Sequence, residues 1–124
     1  MANLATSLEQ EASRLGEPIE AAVLGEHYCE EDWDRPPERK GAPLGAVLDW
    51  GTARPWLDED YDNDFGGADC RPFYAWTASW VFFVYEYDGS TALVAVPRHP
   101  RAEPVDFGGL AHHSFRVQNP PPAK

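Results

Sequence analysis

The stretch Phe73-Tyr74-Ala75-Trp76-Thr77-Ala78-Ser79-Trp80-Val81-Phe82-Phe83-Val84-Tyr85-Glu86-Tyr87-Asp88-Gly89-Ser90-Thr91-Ala92-Leu93-Val94-Ala95-Val96-Pro97 decides the fold. Aromatic and β-branched residues fill 73–77, 80–87 and 91–96 with turn residues between them, which predicts three strands. Asp88-Gly89 is a two-residue connection whose backbone twist suits a hairpin. It sets Tyr87 opposite Ser90, Tyr85 opposite Ala92, Phe83 opposite Val94 and Val81 opposite Val96. A turn at Ala78-Ser79 sets Trp76 opposite Val81 and Tyr74 opposite Phe83. Pro97 and Pro100 stop the last strand.

Alternation gives this meander two faces. One collects Tyr74, Trp76, Val81, Phe83, Tyr85, Tyr87, Val94 and Val96; the other collects Phe73, Trp80, Phe82, Val84, Leu93 and Ala95. Both are apolar, so the sheet is either covered on both sides or leaves one aromatic face open.

Towards the N-terminus, Leu4, Leu8, Ala12 and Leu15 recur at helical spacing, and Gly16 suits a helix end. Ser7 with Gln10 offers a capping box if the helix starts late. Residues 19–24 are ambiguous. Pro18 with Ile19, Ala22 and Val23 on one face suits a helix. Alternation of Ile19, Ala21 and Val23 between Gly16 and Gly25 suits a half-buried fourth strand, the preferred reading. Asp49 or Thr52 can cap a second helix with Ala53, Leu57 and Tyr61 inward, provided Pro55 falls in its first turn. Residues 29–45 and the Asp/Asn-rich run ending at Gly66-Gly67 have loop chemistry. The expectation is an α+β domain over residues 1–100: a small antiparallel sheet of three or four strands with one or two short helices on it. Residues 101–124 form an extended tail with Phe107 and Phe115 as anchor points.

A chain of 124 residues, 43% hydrophobic, suffices for one modest core; about two-thirds of its surface would be buried on folding. The charge is the unusual quantity, 21 acids against 10 bases for a net −11. It is also lopsided: residues 1–69 hold 17 acids and 5 bases, while residues 70–124 hold 4 acids and 5 bases. Two windows, Glu17 to Asp34 and Asp49 to Asp69, carry most of the excess, and the acids within them have Arg54 as nearly their only compensating base. Such a field disfavours direct binding to nucleic acid or to anionic membranes. No apolar run nears the ~18 residues of a membrane span, and no secretion signal is read at the N-terminus. Cys29 and Cys70 therefore read as reduced thiols of a cytoplasmic protein.

Chemical motifs are weak. Asp58-Glu59-Asp60-Tyr61-Asp62-Asn63-Asp64 resembles a calcium loop only in composition, because no frame supplies both the glycine at position six and the glutamate at position twelve. His27, Cys29, Cys70, His112 and His113 lack the spacing of a zinc site. Asp69 beside Cys70 raises rather than lowers a thiol pKa. With Lys only at positions 40 and 124, no phosphate-cradling loop is present either. No cofactor is expected.

The acids remain. If residues 58–64 were extended, alternate carboxylates would lie about 6.6 Å apart on one side. Each neighbouring pair would then cost roughly 0.6 kcal/mol in water before screening. A basic partner relieves that repulsion and is steered by it. The leading expectation is a small non-enzymatic inhibitor with a carboxylate-rich face that blocks a basic protein, nucleic-acid-binding proteins being one class with such a surface. DNA-mimic inhibitors, anti-CRISPR proteins and nuclease immunity proteins share this physics. The partner-binding residues expected are Glu30, Glu31, Asp32, Asp34, Asp58, Asp60, Asp62 and Asp64, with Trp33, Trp56 and Tyr61 as aromatic hot spots. Two other readings stand beside it: an enzyme or metal protein using Cys70 with His27 or His112, and a homo-oligomer joined through the aromatic sheet face.

Overall fold

A computed structural model of the chain describes residues 2–26, 41–61, 70–87, 90–100 and 102. Their elements, in chain order, are β1 (Ala2–Asn3), α1 (Leu4–Leu15), β2 (Ala21–Leu24), β3 (Leu48–Asp49), α2 (Trp50–Leu57), β4 (Asp60–Tyr61), β5 (Phe73–Trp76), β6 (Trp80–Tyr87) and β7 (Ser90–Pro97). Two helices pack on a five-stranded antiparallel sheet of order β3-β2-β5-β6-β7, and β1 pairs with β4 in a separate two-stranded sheet.

The meander forms in the expected register. Tyr87 faces Ser90, Tyr85 faces Ala92, Phe83 faces Val94, Val81 faces Val96, and Trp76 faces Val81. The stretch read as a fourth strand is narrower, Ala21–Leu24, and it enters the middle of the sheet, with Leu24 opposite Phe73 and Ala21 opposite Trp76. On its other side Ala22 pairs with Leu48. The two-residue strands β1, β3 and β4 are too short to show an alternation in sequence.

Register decides which face is core. Ala22, Ala75, Phe82 and Ala95 form one buried row across the sheet, flanked by Leu24, Phe73 and Trp80. The helices cover it with Leu4, Ala5, Leu8, Ala12, Leu15, Ala53 and Leu57. The opposite face is only half-buried at Trp76, Val81, Phe83, Tyr85 and Val96, exposed at Tyr74, and buried at Val94.

α1 begins at Leu4 because Asn3, not Ser7, caps it: the Asn3 side-chain oxygen accepts from the Thr6 N–H at 3.0 Å. Gly16 ends it in the left-handed conformation (φ 78°), with the Gly16 and Glu17 N–H groups donating to the Ser13 and Ala12 carbonyls. Asp49 caps α2, accepting from the Thr52 N–H at 2.8 Å. Pro55 therefore lies beyond the first turn, against expectation. It is accommodated because its lost partner is the carbonyl of exposed Gly51, which water can satisfy, and the helix ends two residues later.

One acidic side chain ties the helical layer to the sheet. Glu17, just past α1, accepts from Thr77 Oγ1 (2.6 Å), the Ser79 N–H (3.0 Å) and Ser79 Oγ (2.7 Å), closing the β5–β6 turn. Within that turn the Thr77 N–H donates to the Trp80 carbonyl, and the Trp80 N–H donates to Thr77 Oγ1. Hydrogen bonds to a carboxylate in a half-buried setting are among the stronger ones. Replacing Glu17 by Ala should cost about 2–3 kcal/mol of stability, read as a lowered urea midpoint, whereas a loss under about 0.5 kcal/mol would show that the turn holds itself.

Candidate functional site

Sheet order determines where the acidic windows lie. At one end of β2, Glu20 receives Arg98 Nη1 at 3.0 Å, and the same nitrogen donates to the Thr77 carbonyl at 3.0 Å. Glu17 and the α2 cap Asp49 belong to this end too. The Thr52 N–H holds the Asp49 carboxyl below the usual carboxylate range. These three acids are structural, although sequence grouped them with the interaction windows.

At the other end of β2 the chain departs towards segment 27–40, and the chain returning from segment 62–69 runs alongside it. After the Leu24–Phe73 pair, the Gly25 N–H donates to the Pro72 carbonyl at 2.8 Å. Arg71 Nη1 donates to the Gly25 carbonyl at 3.0 Å, and Arg71 is 1% exposed. Segment 27–40 leaves from Glu26 and comes back at Gly41, close to the parallel Leu44–Leu24 bridge and the Gly45 N–H bond to the Leu24 carbonyl. Segment 62–69 leaves from Tyr61 and comes back at Cys70. Gly25 and Pro72 thus join the point where segment 27–40 departs to the point just after segment 62–69 returns.

Tyr61 and Cys70 are 4% and 3% exposed. Burial, with a smaller contribution from Cys70, pushes the Tyr61 hydroxyl up to about 12. Its ring belongs to the core, which leaves little of it for a partner. Trp56 is half-buried against the same core.

Asp58 and Asp60 flank this corner. The Asn3 Nδ2 amide donates to one carboxylate oxygen of each, both at 3.0 Å, so alternate acids do point to one side. They sit beside the N-terminus of α1, whose free N–H groups favour negative charge. Asp58 is not bare: Arg54 Nη1 reaches it at 3.3 Å. The same guanidinium spans Glu9, with Nε at 2.9 Å and Nη2 at 3.0 Å, and Trp50 Nε1 donates to Glu9 at 3.0 Å. Glu9, Trp50 and Arg54 form a clamp between the two helices that sequence reading did not single out. Arg71 was missed as well, although it is the only Lys or Arg between Arg54 and Arg98.

Two clefts accompany these groups. One, about 450 Å³, lies between the end of α1 and Trp50 and carries Glu9 and Glu17, both already engaged. The other, about 350 Å³, opens at the acidic end of the sheet and is lined by Val23, Leu24, Gly25, Pro72, Phe73, Tyr74, Phe83 and Val84. Tyr74 on its wall is 60% exposed.

Glu30, Glu31, Asp32, Trp33, Asp34, Asp62 and Asp64 lie outside the described residues, as do His27, His112 and the tail segment 103–124. Among the described residues no group of three His, Cys, Asp or Glu side chains could hold a metal, and no helix is long and apolar enough to cross a membrane. No protein family, curated protein or solved structure matches the chain.

The clamp has a pH signature. Hydrogen bonds from Arg54 and then Trp50, with Arg54's charge, hold the Glu9 carboxyl below its ordinary value against a smaller opposing effect of burial. A lowered folded pKa adds stability that is present above the unfolded glutamate pKa and is lost as pH falls through the folded one. Wild type should therefore be more stable than Glu9→Gln at neutral pH, with the gap closing below about pH 4, as followed by thermal melts across pH. A gap independent of pH would mean the clamp acts by shape and not by charge.

Proposed function

We propose that this protein is a small non-enzymatic binding protein that uses a carboxylate-rich end to engage and block a basic protein partner. The observation that supports the reading is the contact of Leu24–Gly25 with Pro72–Phe73, which sets the start of segment 27–40 beside the chain that follows segment 62–69. Asp58 and Asp60, held side by side by Asn3, extend the same surface. Of the described acids in the windows, Glu17, Glu20 and Asp49 serve the fold. The active surface is thus Asp58 and Asp60 with the acids of segments 27–40 and 62–69, among them Glu30, Glu31, Asp32, Asp34, Asp62 and Asp64.

A net charge of −11 concentrated this way attracts Lys- and Arg-rich surfaces and repels nucleic acid. Proteins that handle nucleic acid present such surfaces, and rigidly held carboxylates can stand in for a phosphate backbone. A DNA-mimic inhibitor of the anti-CRISPR or nuclease-immunity kind is the concrete form of the proposal. In that form the protein works in the cytoplasm, without cofactor or catalysis.

The test is capture from the native host on immobilised protein, eluted by rising salt and separately by duplex DNA. A basic protein should be held at low salt, be released by either eluant, and be absent from a column of the Asp60→Lys/Asp62→Lys/Asp64→Lys variant. Equal retention by the folded variant would remove the proposal. The half-exposed aromatic face favours a second reading, self-association through Tyr74 and its neighbours. That reading predicts a dimer by sedimentation whose affinity ignores salt, and a monomer at high concentration would exclude it.

A further inference from the structure

We infer that the chain following β7 turns back over the outer face of the sheet, the face away from the helices, and seats Phe107 on Val94. This is independent of the acidic-surface reading, since it concerns the aromatic face and what closes it.

Burial along that face runs the wrong way for a bare sheet. β7 is an edge strand with β6 as its one neighbour in the sheet, while β5 is the middle strand of the five. An edge strand has side chains beside it on one flank alone, so on an uncovered face its residues should be the more exposed. The reverse holds. Tyr74 in β5 is 60% exposed, and Val23 in β2 and Val81 in β6 are half-buried, yet Val94 in β7 is 1% exposed. Side-chain size does not explain this, because Val23 and Val81 are valines too. Nor do the helices supply the cover: Val94 stands apart from the core cluster that they form with the sheet's other face. Its partner across the hairpin, Phe83, lines the cleft shared with Tyr74, on the flank away from β7. The cover therefore comes from the β7 side.

The continuation of the chain is placed to provide it. Val94 is buried within a single chain, which disfavours a second copy as the source. Directly after β7 the Arg98 N–H donates to the Ser79 carbonyl, and the backbone bends at Arg98 and His99 and again at Ala102. From Val94 to Pro100 is at most about 22 Å of extended chain, and the chain from Pro100 to Phe107 is long enough to retrace it. Phe107 is the first aromatic residue after β7, with Val105 and Leu110 near it and proline at 104 and 120–122 outside them. A cover in this place closes the β7 side of the face and leaves the Tyr74 side open, so any self-association through the face is confined to Tyr74, Val23 and Trp76.

Nuclear magnetic resonance on the full chain tests this. The Val94 methyl protons should cross-relax with the Phe107 ring, and a mixture of labelled and unlabelled chains should find that contact within one chain only. A soluble paramagnetic agent should broaden Val81 and spare Val94. In Phe107→Ser, Val94 should broaden as much as Val81, while Ala95 on the helix face stays shielded and reports an intact fold. If that variant does not fold, the wild-type contact decides alone. Absence of the Phe107 contact, or Val94 as accessible as Val81 in wild type, would overturn the inference. Shielding of Val94 that survives Phe107→Ser would do the same, and a contact between chains would replace it with a second copy on this face.

Discussion

Four residues of β2 pair antiparallel with four of β5 across some fifty positions of sequence, Ala21 with Trp76 through Leu24 with Phe73. The acidic N-terminal half and the aromatic C-terminal half are joined through this ladder. It places the row Ala22–Ala75–Phe82–Ala95 under the helices, and small side chains at three of those four positions let α1 and α2 approach the sheet closely. Forming such distant contacts carries a loop-closure cost before any apolar burial offsets it. The local β6–β7 hairpin has no such cost, which makes it a natural early element on which β2 docks.

The same ladder sorts the acids. Those at the β5–β6 turn end meet donors: Thr77 and Ser79 for Glu17, Arg98 for Glu20, and the α2 backbone for Asp49. At the other end the buried Arg71 guanidinium donates to the carbonyl of Gly25, just past the end of β2, while Asp58 and Asp60 are held by the Asn3 amide. A charge as buried as Arg71 is tolerated only where polar groups answer it, and its position binds the two chain crossings together. Charge density alone does not distinguish the two sets of acids. Local donors do.

Arg54 shows how compensation can hide in sequence. It is a single base amid fourteen window acids, yet in space it spans Glu9 and Asp58 and links the two helices. Exposed ion pairs of this sort contribute modestly to stability, so the clamp's importance is orientation as much as energy. Asp60 beside the clamp is held by the Asn3 amide.

Local pattern was enough for the elements whose information is local. The Asp88-Gly89 connection fixed the hairpin register because two residues leave one way to pair the flanking strands. Leu4, Leu8, Ala12 and Leu15 marked the buried stripe of α1, since helical periodicity needs no outside reference. The charge asymmetry was likewise visible from residue counts. Only the tertiary structure decided that 21–24 is an inner strand, that Phe73, Ala75 and Phe82 face the helices while Tyr74 stands in solvent, and that Tyr61 is core. It also showed that Glu17, Glu20 and Asp49 are engaged within the fold. These outcomes depend on partners tens of residues away, and a short strand or a lone carboxylate carries no mark of which distant backbone it will meet.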